Sequence, residues 1–271
     1  MTPKHNLADI FKDFHPRIIG SRIEVIDQVD STNELAKQYV RQNCAEGLVI
    51  LADSQTQGKG RAGRSWTSIP GVGIYFSTVI IPQENKELLP QFTLMAGVAS
   101  ILAIQDFCQA ETTLKWPNDI LSAEGKKLCG ILCETCPTTS DGIAVVVGIG
   151  INVNQVTFPE EIQASATSLK ILNNGASVDR NALICSLMRH IDAEYMAMNL
   201  PGGVEKLIEK WSSHSNLFGK EITFKVGNTS IEGRALGLNE AGNLVIATQD
   251  GKQTAYSAGE ITSIRRATPA H

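Results

Sequence analysis

Gly58-Lys59-Gly60-Arg61-Ala62-Gly63-Arg64-Ser65-Trp66 is the stretch on which the fold turns. It satisfies G-x-G-x-x-G, the glycine fingerprint of a dinucleotide-binding sheet. A strand-like run at residues 48–53 precedes it, and Glu84 follows at about twenty residues, where a ribose-binding acid would stand. That fingerprint needs a helix to begin at its last glycine, so that the helix N-terminus meets the pyrophosphate. After Gly63 the chain reads Arg-Ser-Trp-Thr-Ser-Ile-Pro-Gly-Val-Gly, which has turn chemistry and no helical period. A doubly wound dinucleotide fold is therefore not expected.

The cations of the loop then need another account. Lys59, Arg61 and Arg64 stand among glycines that let backbone approach a ligand closely. Such density is self-repelling unless an anion sits between the charges. Arg presents a donor fork matched to phosphate or carboxylate oxygens, so the loop reads as a clamp for a nucleoside triphosphate or an acyl phosphate. The alternative is a solvated basic turn.

With 271 residues, 42% hydrophobic and 19% charged, the chain has the composition of an ordinary globular protein with ample core. Its formal net charge of −4 argues against bulk attraction to nucleic acid or anionic membrane and makes the basic loop a local feature. Met1 leads into Lys4, His5, Asn6 and Asp9 without an apolar run, and the apolar segment at residues 143–151 is too short to span a bilayer. A cytoplasmic protein with no membrane partner is expected.

Cys129, Cys133 and Cys136 have the spacing of a radical iron–sulfur motif but lie in an apolar, strand-like segment. On a strand the first two would be about 13 Å apart, too far for one cluster, so buried core thiols are expected. The histidines (His5, His15, His190, His214, His271) show no metal spacing, and no protein-held metal is expected.

Strands are predicted at residues 22–27, 48–53, 74–81, 113–116, 127–134 and 143–152, and helices at 88–107, from an Asp179 cap to about 198, and at 204–211. Asp30-Ser31-Thr32-Asn33-Glu34 announces another helix, with Ser31 and Glu34 in capping-box register. Beyond about residue 216 the pattern becomes short strands at 222–226, 231–238, 244–248 and 254–256, reversed at Gly227-Asn228, Ala241-Gly242 and Asp250-Gly251. A catalytic domain over residues 1–215 and a small all-β domain over 216–271 follow. The stretch before residue 20 leaves no room for a winged helix, which needs roughly sixty residues, so no DNA binding is expected.

Three further segments join the loop: Lys115-Trp116-Pro117-Asn118-Asp119, the strand opening at Lys127-Leu128-Cys129-Gly130, and Gly148-Ile149-Gly150-Ile151-Asn152-Val153-Asn154. With Asp30-Ser31-Thr32-Asn33 and Ser54-Gln55-Thr56-Gln57-Gly58, this set resembles the biotin–protein ligases from about Val25 to the C-terminus. The resemblance implies an α+β catalytic domain with a central mixed β-sheet flanked by helices, followed by an SH3-like domain. It implies that biotin and ATP, with Mg2+, form biotinyl-5'-AMP, and that a lysine on the biotin carboxyl carrier domain of a carboxylase then takes the acyl group.

By the same resemblance, Lys127 and Arg61 are the catalytic residues. Ser31, Thr32, Asn33, Gln55, Gly58, Lys59, Gly60, Arg61, Lys127, Gly130 and Gly150 would hold biotin. Arg61, Arg64, Trp66, Lys115, Asn118, Asp119, Lys127 and Asn152 would hold ATP. Some relatives stack adenine on a tryptophan ahead of the Asp179 helix; residues 166–171 contain no aromatic, which leaves that contact open. Lipoate or octanoate transfer on a similar fold is the alternative reading, and monomer and homodimer are both open.

Overall fold

A computed structural model describes residues 14–82, 89–140 and 142–265. Met1, Lys4, His5, Asn6, Asp9, Glu84, Leu88 and His271, used in the sequence reading, lie outside the described residues. The larger sheet is built from β1 (Arg22–Val29), β2 (Leu48–Gln55), β3 (Gly73–Ile80), β4 (Thr112–Lys115), β5 (Asp119–Ser122), β6 (Lys127–Pro137) and β7 (Ile143–Asn152). Its order is β1-β2-β3-β7-β6-β5-β4. Only β1 and β2 run parallel, so the sheet is mixed as expected. The connection across the glycine loop joins antiparallel β2 and β3, which is not the parallel β-α-β crossover of a dinucleotide fold.

Helix α1 (Thr32–Arg41) covers one face of this sheet, where Ala36 and Val40 pack on Leu48, Ile50, Val79, Cys136, Ala144 and Val146. The opposite face is covered by α2 (Leu89–Gln105), α5 (Arg180–Met198) and α6 (Gly203–Ser213), joined by Leu169 of the short α4 (Leu169–Leu172), whereas the short α3 (Glu160–Gln163) buries none of its residues. Twelve of the seventeen residues of α2 are buried, as its nearly continuous apolar sequence requires of a helix enclosed on several sides. Asp179 caps α5 through bonds to Asn181 N and Ala182 N, as predicted.

The smaller sheet comprises β8 (Glu221–Val226), β9 (Thr229–Leu238), β10 (Leu244–Ala247), β11 (Gln253–Tyr256) and β12 (Glu260–Arg265), all antiparallel, in the order β11-β10-β9-β8-β12. Gly227 has φ +56°, the left-handed conformation that a two-residue hairpin loop between β8 and β9 demands. The two sheets share one apolar cluster. Trp116 packs on Phe224 with ring centroids 5.9 Å apart, and its indole N–H donates to Gly242 O at 3.3 Å.

Two strands escape the sequence reading, β5 and β12, and the capping box does not form. Ser31 sits at the N-cap position of α1 without a side-chain capping bond. Glu34 instead receives Lys37 at 2.7 Å and Lys59 at 2.5 Å. The Cys129 thiol is buried in β6, and that burial pushes it up to about 12, keeping it protonated.

Candidate functional site

Alternation along the strands creates the site. On β7, Ile149 and Ile151 point into the α2 side of the sheet, so Gly148, Gly150 and Asn152 share the α1 face. On β6 the same face carries Gly130 and Leu132, and Gly130 pairs directly with Gly150. α1 covers only one end of this face. Where α1 begins, the sheet is reduced to glycine, and a cavity of about 310 Å³ opens over it.

Of the residues predicted for the site, all except Gly58 and Lys115 line this cavity. Gly58 lies at the base of the loop, where its carbonyl accepts the Trp66 N–H at 2.8 Å. Lys115 belongs to β4, the outermost strand and one further from the cavity than β5, which carries Asp119. Its charge acts on Glu260 of the smaller sheet.

The loop folds back on itself as a roof. Lys59 bridges to Ser65, and Gly60 N donates to Arg64 O at 2.7 Å. A three-residue 3-10 turn spans Arg61–Gly63, with Ala62 at φ +54° and Gly63 at φ +73°. Each cation of the roof meets a polar partner. Lys59 meets Glu34, Arg61 Nη1 donates to Asn118 Oδ1 at 3.2 Å, and Arg64 meets Glu260 at 2.9 Å. Burial lowers the pKa of the Arg61 guanidinium, partly offset by Asp119, as befits a cation partly withdrawn from water.

From the sheet, Lys127 Nζ is ion-paired to Asp119 Oδ1 at 2.6 Å and stands 5.6 Å from the centre of the Trp66 ring. The lining thus holds four cations (Lys59, Arg61, Arg64, Lys127) and one carboxylate, Asp119; Glu34 and Glu260, paired to Lys59 and Arg64, lie just outside it, so Arg61 is the cation of this set paired to no carboxylate. An excess of positive charge at the cavity favours an anion.

Trp66 lies flat over the bare strand backbone. A Cβ on Gly150 would overlap its ring, and one on Gly130 would come within 2.8 Å of it. The buried indole Nε1 has no hydrogen-bond partner among the described residues, nor does Gln155 Oε1, and both line the cavity. A donor and an acceptor left open in this way suit a polar ligand.

The remaining wall was not foreseen. Lys127 N donates to Ser165 O at 2.7 Å and Thr167 N to Lys127 O at 3.0 Å, which draws Ser165 and Ala166 alongside β6 and into the lining. Phe158 and Ile162 join them there, so the aromatic of this wall precedes the segment at 166–171 in which one was sought. Opposite, Thr32 N donates to Gln55 Oε1 at 2.8 Å, and Gln55 Nε2 donates to Ser68 Oγ at 3.1 Å, so the Gln55 amide has a fixed orientation. Ser77 and Glu134, absent from the sequence reading, support this end from below and are linked to it through Asn33.

A mixed sheet with a glycine-floored, cation-roofed cleft beside α1 is an arrangement suited to a small anionic ligand. Residues 25–152 match the biotin/lipoate A/B protein ligase family, and residues 217–262 match the biotin protein ligase C terminal domain. The chain is 35% identical over 243 residues to the bifunctional ligase/repressor BirA of Bacillus spizizenii, covering 89% of this chain and 74% of that one. It is 31% identical over 253 residues to the biotin–[acetyl-CoA-carboxylase] ligase of Mycobacterium tuberculosis, covering 90% of each. Among solved structures, the biotin protein ligase of Aquifex aeolicus in complex with biotin and ATP superposes with a TM-score of 0.77 at 34% identity, covering 91% of this chain and 100% of that one. The chain belongs to the biotin protein ligase family.

Proposed function

We propose that this protein is an ATP-dependent biotin–[acetyl-CoA-carboxylase] ligase. The biotin carboxylate oxygen attacks the α-phosphorus of ATP, the bond to the pyrophosphate breaks, and biotinyl-5'-AMP forms. The ε-amine of a lysine on a biotin carboxyl carrier domain then attacks the acyl carbon, and AMP leaves. The observation that carries this reading is the lining of four cations and one carboxylate over a glycine floor. Joining a carboxylate to a triphosphate brings together about five negative charges, and fixed cations stabilise the transition state as they meet.

In this reading Lys127, at the start of β6, contacts both the carboxylate and the α-phosphate, while Arg61 reaches the phosphates from the roof. Asn118, Asn152 and Phe158 line the nucleotide side, and Thr32 and Gln55 form the polar end that receives the ureido ring. That end favours biotin over lipoate or octanoate, whose chains bring no N–H to pair with it. The lining offers a single carboxylate, already paired to Lys127, which suits a magnesium ion carried in on the triphosphate and not one held in a protein cage. The glycine loop, closed over the adenylate, keeps water from hydrolysing it. We assign the catalytic part to residues 1–215 and the SH3-like part to 216–271. Among the described residues no helix is long and apolar enough to cross a membrane, in keeping with a cytoplasmic enzyme.

The test is exchange of labelled pyrophosphate into ATP, followed by transfer to a carrier domain. Exchange that depends on biotin and not on lipoate is expected. Exchange driven equally by lipoate, or none with either acid, would overturn the reading.

A further inference from the structure

The roof loop, residues 56–72, leaves β2 at Gln55 and returns to β3 at Gly73. At this end the two strands are not paired with each other. Their ladder stops at Ala52 and Tyr75; beyond it β2 pairs with β1 alone, through Ser54 and Gln55, while Gly73 pairs with Asn152 of β7. A seam therefore opens in the sheet where the loop begins and ends.

Arg180, the first residue of α5, bridges that seam. Its Nη1 donates to Asp53 Oδ1 of β2 at 3.0 Å and to Gly73 O of β3 at 3.1 Å, and its Nη2 donates to Asp53 Oδ1 at 2.9 Å. A guanidinium serves both strands at once because its donors diverge in a rigid fork, which an ammonium lacks. With the side chain only 6% exposed, water competes little for these bonds. The first turn of a helix is a poor place for a cation, since it meets the positive end of the dipole. Arg180 is held there by its partners across the seam and not by α5.

Asn154 sets where α5 starts. It is the last residue of the Gly-Ile-Gly-Ile-Asn-Val-Asn motif, and unlike Asn152 it does not line the cavity. Its Oδ1 accepts the Val178 N–H and its Nδ2 donates to Val178 O, both at 2.9 Å, while its backbone N donates to Val72 O at 2.7 Å. One asparagine thus joins the segment that enters α5 to the last residue of the loop.

We propose that Arg180, held in place through Asn154, is a positioning residue that clasps the two ends of the glycine loop and so keeps the roof closed over the adenylate between the two steps. The proposal rests on the ligase reading above and adds what retains its intermediate. Neither side chain lines the cavity; Arg180 acts through Asp53 and Gly73. A loop with anchored ends has less conformational freedom to lose on closing, and a closed loop excludes water.

The test counts pyrophosphate released per carrier domain biotinylated, with biotin, ATP and carrier supplied together. Every adenylate formed releases one pyrophosphate, so adenylate that escapes or is hydrolysed raises the ratio. Partial unfolding lowers both products in proportion and leaves the ratio unchanged. The wild-type chain should give a ratio of about one, since a closed site passes its intermediate on. Arg180→Lys keeps the charge beside Asp53 but loses the fork, and should raise the ratio by about ten-fold. Asp53→Asn keeps an oxygen toward the guanidinium without its charge; it should raise the ratio less, and it carries the test should Arg180→Lys not fold. A wild-type ratio in both variants, whatever their rates, would mean a merely structural role and overturn the proposal. Absence of biotin-dependent pyrophosphate release from the wild-type chain would overturn the ligase reading itself.

Discussion

Lys127 Nζ lies 2.6 Å from Asp119 Oδ1, the only carboxylate among the residues that line the cavity. The pair holds the ammonium on the floor while leaving it the one sheet-borne cation there. Lys127→Ala is expected to lower biotin-dependent pyrophosphate exchange by about 100-fold or more, the usual consequence of removing a charge aimed at a developing anion. Asp119→Asn keeps the cation and loses only its tether, so its rate should fall less. A Lys127→Ala variant with unaltered exchange would remove Lys127 from the mechanism.

Arg64 of the loop reaches across to Glu260 of the smaller sheet at 2.9 Å, and hydrogen bonding from Arg64 holds the Glu260 carboxyl below its usual range. Both side chains are largely exposed, so Glu260→Ala should change unfolding free energy by less than about 1 kcal/mol. Its effect should fall on the loop. The KM for ATP is expected to change a few-fold, with the difference fading as salt screens the pair. Steady-state exchange at low and high ionic strength reads this directly, and a large stability loss would contradict it.

The Trp66 ring rests where a side chain on Gly150 would have to stand. Gly150→Ala leaves ordinary strand backbone but displaces the indole, and overpacking of this kind costs about 1–3 kcal/mol. Biotin affinity should fall by about ten-fold or more. Trp116 and Trp211 are both buried away from the site, so altered tryptophan emission in this variant would report Trp66, the third tryptophan of the chain. Unchanged emission with unchanged affinity would show that the floor tolerates a methyl group.

The larger sheet was legible because its strands are long and apolar, and the loop because charge among glycines has no place in a core. β5 was missed since Asp119-Ile120-Leu121-Ser122 is too short to show alternation behind Pro117. β12 was missed because its pairing with β8 shifts register between Ile261 and Ser263, which breaks the period of its apolar residues. Lys115 stood in the same motif as Asn118 and Asp119, but the turn sends it to the neighbouring strand, away from the cavity. Ser77 carries no local signal at all. A single hydroxyl in the apolar run of β3 gains its meaning only when α1 brings Thr32 and Asn33 against it.

Glu34 provides a test by pH. Hydrogen bonds from Lys37 and Lys59 hold its carboxyl below the ordinary range for glutamate. A carboxyl whose pKa is lower in the folded chain stabilises it above the unfolded value of about 4.3, and that contribution is lost as pH falls through the folded value. Glu34→Gln removes the effect, so wild type should be the more stable at about pH 6 and the two should converge toward about pH 3. Other carboxyls held low, such as Asp106 and Glu260, titrate in both chains and cancel in the comparison. Thermal unfolding of the pair across this range isolates Glu34. Parallel curves would mean that Lys59 and Lys37 lend it no net stabilisation, and that the roof of the cavity is not tied to α1 through this carboxylate.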